Sequence, residues 1–188
     1  MSASSLPPPD DTLLLCVDMQ VPFFRVIPDV DRLQRRCEFA ISCAVGLGMP
    51  VAFTEQVPEK LGHTSPALAS LAPQASFWGK NTFSAFADDG IRDAIIRQRN
   101  IQHILLCGIE TPVCVYQTAI AALADDLNVT VLSDAVAARR NDDARVCLDA
   151  LIRAGVHVLP SETVFYALLH DVGHPFFRSY TQLVKSAS

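Results

Sequence analysis

The sequence predicts an α/β fold, a parallel sheet covered by helices on both faces. Near-continuous apolar runs alternate with stretches of helical spacing along almost the whole chain. The runs end in polar residues, as strands buried on both faces do, whereas strands with one wet face alternate apolar and polar. At 188 residues the chain is long enough for one full core and too short for two domains of common size.

"MSASSLPPPDD", residues 1–11, reads as a loose tail prone to polyproline geometry, and 12–188 as the single domain. Lacking an apolar core segment and arginines, this start resembles neither a secretory signal nor a mitochondrial presequence. "TLLLCVDMQ", Thr12 to Gln20, is the first strand. From Asp29 to Leu47 the residues Val30, Leu33, Cys37, Ala40, Ile41, Ala44 and Val45 recur at helical steps, and Gly48 supplies a stop. "PVAFTEQ" is the second strand, and Pro58 to Asp89 is irregular, with a short strand within "ASFWGKNTFSAF". Ile91 to Gln98 reads as helix, then "IQHILLCGI" as strand and Cys114 to Asp125 as helix. "NVTVLSDAV" is a strand, Asp142 to Ala154 a helix, "VHVLPSE" the last strand, and Thr163 to Leu169 and Phe176 to Lys185 close the chain as helices. Such alternation demands right-handed crossovers.

Half the residues are hydrophobic and 19% charged, an ordinary globular balance. The net charge of -5, with no dense Lys/Arg cluster, opposes binding to nucleic acid. No apolar run approaches the ~18 residues of a membrane span. Cys16, Cys43, Cys107 and Cys147 sit within apolar runs and read as small hydrophobes, which fits a reduced, cytoplasmic chain. Neither a GxGxxG fingerprint nor a GxxxxGK[ST] loop follows a strand, so dinucleotide and phosphate-loop chemistry find no support.

Parallel sheets bind ligands beyond the C-terminal ends of their strands, near the reversal of strand order. Cys114 falls there, at the first turn of a helix, where unpaired amides and the helix dipole favour thiolate over thiol and could also hold an oxyanion. A small residue packing helix on sheet is the alternative. The histidines are badly placed to be its base: His103 and His157 open strands at the far end, and His170 and His174 lie near the C-terminus. Asp18, carried out of the first strand at its C-terminal end, is better placed, or else caps a loop. Lys80, among Phe77, Trp78 and Phe83, either snorkels to water or pairs with a carboxylate.

"LLLCVDMQ", "GKNTFSAF" and "LLCGIETPVCVYQTAIAAL", in this order, resemble the isochorismatase-like cysteine hydrolases, among them nicotinamidases, N-carbamoylsarcosine amidases and the isochorismatase-domain-containing proteins. The resemblance runs from about Leu13 to Val184. It implies a Rossmann-like three-layer α/β/α sandwich with a six-stranded parallel sheet of order 3-2-1-4-5-6. It further implies a catalytic triad of Asp18, Lys80 and Cys114, a cis peptide at Ile109-Glu110, and an oxyanion hole at the amides of Glu110 and Cys114. The pocket expected around these groups comprises Phe23, Glu55, Gln56, Trp78, Phe83 and Ile109. The isochorismatases themselves lack the cysteine, so its presence favours the amidase branch. The histidine-rich metal cluster of nicotinamidases is reduced here to His63 in "TEQVPEKLGHT", so neither metal nor cofactor is expected. Asp134 and Arg139 read as a structural ion pair. The reaction expected is hydrolysis of a small amide or ureido substrate through a thioester, in a chain that self-associates; the alternative is a binding or scaffold protein that keeps the fold. Nuclease activity would need a basic groove or a metal cluster.

Overall fold

The computed structural model describes residues 9–98 and 101–187; the expected tail falls mostly outside them, and Pro9–Asp11 forms a 3-10 turn leading into the sheet. Six parallel strands, β1 (Thr12–Val17), β2 (Val51–Gln56), β3 (Ser76–Lys80), β4 (His103–Ile109), β5 (Asn128–Ala137) and β6 (His157–Leu159), pair in the order β3-β2-β1-β4-β5-β6. The chain works outward through β2 and β3, then returns past β1 to build β4, β5 and β6. Strand order therefore reverses between β1 and β4, where a crevice opens at the strand ends.

Every residue of β1 is buried, and its side chains divide by parity. Leu14 and Cys16 join the core on one face with Leu33, Cys37 and Ile41, while Leu13, Leu15 and Val17 join the core on the other with Ile95, Ala119 and Leu151. A strand with cores above and below has no place for polar side chains, which is why "TLLLCV" shows no alternation.

On the first face lie α2 (Val30–Gly46), α8 (Ser161–Leu169) and α9 (Phe177–Ser186); α1 (Val21–Phe24), α3 (Pro58–Leu61) and α4 (Pro66–Ala69) are single turns near the strand ends. The α2 stripe is Leu33, Cys37, Phe39, Ala40, Ile41, Cys43 and Ala44, with Val45 left exposed instead of buried as its spacing suggested. The helix α9 seats Tyr180 against Phe39 and Tyr166, at ring separations of 5.9 and 4.8 Å. The Phe176 ring lies over Gly46, where any Cβ would overlap it. On the second face lie α5 (Asp89–Asp93), a π-type continuation at Ala94–Gln98, α6 (Tyr116–Ala124) and α7 (Asn141–Ala154).

Two departures from the sequence expectation concern the functional end. The segment read as irregular contains, besides the short strand expected there (β3), the single turns α3 and α4, each four residues long and too short to display a period. The helix expected to begin at Cys114 begins earlier, as a widened π turn over Thr111–Val115 in which the amides of Val113 and Val115 both donate to the Glu110 carbonyl.

Candidate active site

Three strand ends contribute to the crevice at the reversal. The backbone leaves β1 through Asp18 in the left-handed region, φ 51°, a conformation that Asp adopts more readily than most residues. Its carboxylate is buried, accepting from the Thr54 hydroxyl at 2.7 Å and from Lys80 Nζ at 2.7 Å. Lys80 ends β3, two strands away from β1 at about 4.8 Å per strand, so its long side chain crosses the end of β2. There Gln56 Oε1 accepts from Nζ at 2.7 Å, and the Thr82 carbonyl accepts at 3.2 Å. Lys80 and Asp18 form an ion pair with side chains 0% and 2% exposed. Lysine therefore does not snorkel; a buried cation needs a partner, and Asp18 is that partner.

The third end follows β4. A register shift between Leu106 and Gly108 bends this strand, and Gly108 takes φ 109° against β1. A Cβ at that position would overlap the Val17 carbonyl, so only glycine permits β1 and β4 to close to pairing distance at the ends bearing Asp18 and Cys114. The Ile109-Glu110 peptide is cis, and the π turn then places Cys114 where its thiol feels the charges of both Asp18 and Lys80.

Electrostatics modify the expectation for this thiol. Burial pushes the Cys114 pKa up to about 12; the Asp18 carboxylate pushes the same way, and the Lys80 ammonium only partly offsets them. Desolvation and the adjacent carboxylate thus outweigh the helix start, and the resting group is a thiol beside a carboxylate, not the pre-formed thiolate expected from position alone.

A cavity of about 380 Å³ opens above these groups, lined by Asp18, Gln56, Cys114, Glu110 and Arg139 together with Phe23, Leu61, Phe83, Ile109 and Val113. Of the residues expected in the pocket, Phe23, Gln56, Phe83 and Ile109 line it; Glu55 and Trp78 do not. Glu55 precedes Gln56 on β2 and points to the opposite face of the sheet, where its carboxylate accepts from the Thr64 amide at 2.8 Å and hydroxyl at 3.0 Å and meets His63 Nδ1 at 2.9 Å. These contacts hold its pKa below the ordinary value despite burial. It is an anchor for the loop after α3, and His63 is its partner. Trp78 packs against the core of the second face.

Asp134 and Arg139 do not pair with each other. Asp134 is bound by Arg36 Nε at 2.8 Å and by the Ser161 amide and hydroxyl, each at 2.8 Å, fastening α2 and α8 to β5 away from the cavity. Arg139 turns to the cavity mouth, its Nε 3.0 Å from both carboxylate oxygens of Glu110 and its amide donating to the same group at 3.1 Å. Thr54, Leu61, Val113 and the pairing of Arg139 with Glu110 were missed in the sequence. A polar residue within the apolar run "VAFT" was the available signal for Thr54; Leu61 carried none.

Among the described residues, one group gathers metal-binding atoms: Cys16, Cys37 and Cys107, whose sulfurs lie within 4.8 Å of one another. All three are buried, and side-chain contacts within the group together with desolvation hold their pKa values above the ordinary thiol range. Neutral thiols in a closed apolar layer pack as hydrophobes.

The family model described as Isochorismatase domain matches residues 12–163. Isochorismatase domain-containing protein 2 of Bos taurus is 31% identical over 180 residues, covering 96% of this chain and 86% of the relative. The structure named MAR1 ribonuclease of Caenorhabditis elegans superposes with a TM-score of 0.89 at 30% identity, covering 97% of this chain and 94% of that one. The YcaC gene product of Escherichia coli gives 0.86 at 19% identity over 99% and 98%, a likeness of fold alone. The match of the domain model over most of the chain, with a relative at this identity along nearly its whole length, means that the chain belongs to the isochorismatase family and has that family's hydrolase fold.

Proposed function

We propose that the chain is a cysteine-dependent hydrolase that cleaves a C–N bond of a small amide- or ureido-type substrate through a thioester acyl-enzyme. The observation that supports this reading is the convergence of Asp18 and Cys114 in the wall of one mostly apolar cavity, with Lys80 buried behind them and paired to Asp18.

With the resting sulfur protonated, attack and deprotonation are coupled: Asp18 accepts the thiol proton as sulfur bonds to the carbonyl carbon. Lys80 keeps its charge beside the new anion, and the amides of Glu110 and Cys114 donate to the oxygen. Asp18 then delivers its proton to the leaving nitrogen, the C–N bond breaks, and a thioester remains. The freed carboxylate takes a proton from water, whose oxygen attacks the thioester; the acid product leaves and the proton returns to sulfur. Thr54 and Gln56 hold Asp18 and Lys80 in register. No metal or cofactor enters these steps.

The same proposal takes residues 12–188 as the hydrolase domain behind a tail of 1–11, in a cytoplasmic chain that associates with neither nucleic acid nor membrane; among the described residues no helix is long and apolar enough to cross a bilayer. It also takes the chain to self-associate; the E. coli YcaC protein is described as an octameric hydrolase of unknown specificity.

A screen of small amides and ureido compounds, with intact-mass capture of an acyl adduct, tests the proposal. Adduct and turnover are expected with the native chain and neither with Cys114→Ala. Full turnover of a verified substrate by Cys114→Ala would overturn the covalent scheme. No turnover together with indifferent alkylation of Cys114 would favour the alternative, a binding or scaffold protein that keeps the fold. A second reading, ribonuclease, is favoured by the name and similarity of the C. elegans protein. Cleavage of single-stranded RNA that is lost in Asp18→Asn would establish it.

A further inference from the structure

We propose that the site takes a compact, uncharged, apolar substrate, and that the Glu110–Arg139 pair at its mouth is the element that excludes charged ones. This rests on the hydrolase reading only in treating the apolar cavity as the substrate site.

Every ionic group lining the cavity is already matched. Asp18 is held by Lys80 at 2.7 Å, and Glu110 by Arg139 Nε at 3.0 Å and by its amide at 3.1 Å. Gln56 is committed as well: its Oε1 accepts from Lys80 at 2.7 Å, and its Nε2 donates to the Asn81 carbonyl at 3.2 Å. What remains of the wall is Phe23, Leu61, Phe83, Ile109 and Val113. At about 380 Å³ the cavity sits at the small end of ligand clefts, ~300–1,000 Å³. A substrate carboxylate entering it would lose water and meet Glu110; a substrate ammonium would meet Arg139. Neither would find a counter-ion that is not already shared, and a desolvated ion that must compete for one is disfavoured. A neutral alkyl or aryl group loses nothing on entering and is rewarded by the five apolar side chains. Charges matched inside the site reject ions of both signs, whereas a single free cation would select anions.

The test uses one warhead with three tails: N-propyl, N-carboxymethyl and N-aminoethyl chloroacetamide. Sulfur of Cys114 displaces chloride, the S–C bond forms as C–Cl breaks, and the thiol proton passes to solvent. Rates of modification of Cys114, read by intact mass and peptide mapping, are divided by the rates with glutathione. That ratio removes differences in the reagents' own reactivity, and at one pH every tail meets the same thiolate fraction. The propyl compound is expected to lead both charged compounds by at least tenfold. Equal rates, or a lead for either charged tail, would overturn the inference. Glu110→Gln leaves Arg139 unmatched, and the carboxymethyl tail should then gain at least tenfold on the aminoethyl tail; no gain would also overturn it. Should that variant fail to fold, Arg139→Gln leaves Glu110 unmatched, and the gain should pass to the aminoethyl tail. Turnover of isobutyramide is measured separately, so loss of the hydrolase reading and loss of the charge preference are distinguishable.

Discussion

Asp18 acts on Cys114 in two opposing ways. As a neighbouring negative charge it disfavours the thiolate; as the proton's acceptor it is what allows the thiolate to form when an electrophile is in place. Asp18→Asn separates the roles. Removing the carboxylate removes a charge that raises the thiol pKa while Lys80 stays, so the pH profile of Cys114 alkylation should move below its native position near 12, and turnover should fall by ~10²–10⁴-fold. Alkylation that slows in parallel with turnover would contradict this. Lys80→Met should be costly in a different manner: it leaves Asp18 buried without its cation, and denaturant unfolding should show a loss of about 3–5 kcal/mol. At this scale the sequence revealed the groups whose chemistry is at odds with their surroundings. An aspartate ending "LLLCV" and a lysine between aromatics stand out because burial of charge requires a reason. Glu55 was misread because the strand-end argument does not say which face a residue takes, and a step of one residue along β2 separates the cavity from the loop it anchors.

Among elements, β4 decides whether the site assembles. Its bend at Gly108 allows the Val17 carbonyl to approach, and Gly108→Ala demands both a side chain at φ 109° and room that the β1 backbone occupies. A loss of at least about 3 kcal/mol is expected in chemical denaturation, with a further fall in turnover per folded molecule as Asp18 and Cys114 are parted. An unchanged midpoint would show that β1 can yield. The long elements were legible, β1 and β4 as uninterrupted apolar runs and α2 because its stripe repeats often enough to identify a period. The single turns α1, α3 and α4 were not, although Pro22, Pro58 and Pro66 stand in their first turns, where proline belongs. Four residues cannot show helical periodicity, so Leu61 reached the cavity wall unannounced. The π turn before α6 was equally hidden, since "TPVCV" differs from an ordinary helix start only in how the Glu110 carbonyl is shared.

For the molecule as a whole, the alternation of strands and helices made the layered architecture legible, while the order of the strands came from resemblance, since pattern alone does not say which strand neighbours which. One whole-chain property follows from the buried end of β4 opposite the site. Burial, and to a lesser degree His157, lower the His103 pKa from its ordinary 6.5 to about 4; its Nε2 meets Thr130 Oγ1 at 2.9 Å. The folded chain therefore binds a proton less readily than the unfolded one. Stability from this group is present above pH 6.5 and is lost as pH falls toward 4, by roughly 3 kcal/mol. Urea unfolding at pH 7.5 and 4.5 should show it, and His103→Leu should flatten that slope. The net charge of -5 leads to a second expectation: in filter binding, single-stranded RNA should be retained at background at both low and moderate salt. Salt-sensitive retention would instead strengthen the ribonuclease reading.

The sulfur trio of Cys16, Cys37 and Cys107 bridges two central strands and the helix that roofs them, with no solvent path to any member. A maleimide can reach these atoms only when the middle of the sheet parts from α2, so in dilute reagent their modification rate is a clock for that opening. A ligand that tightens the molecule would slow the clock, giving a way to find one before its chemistry is known.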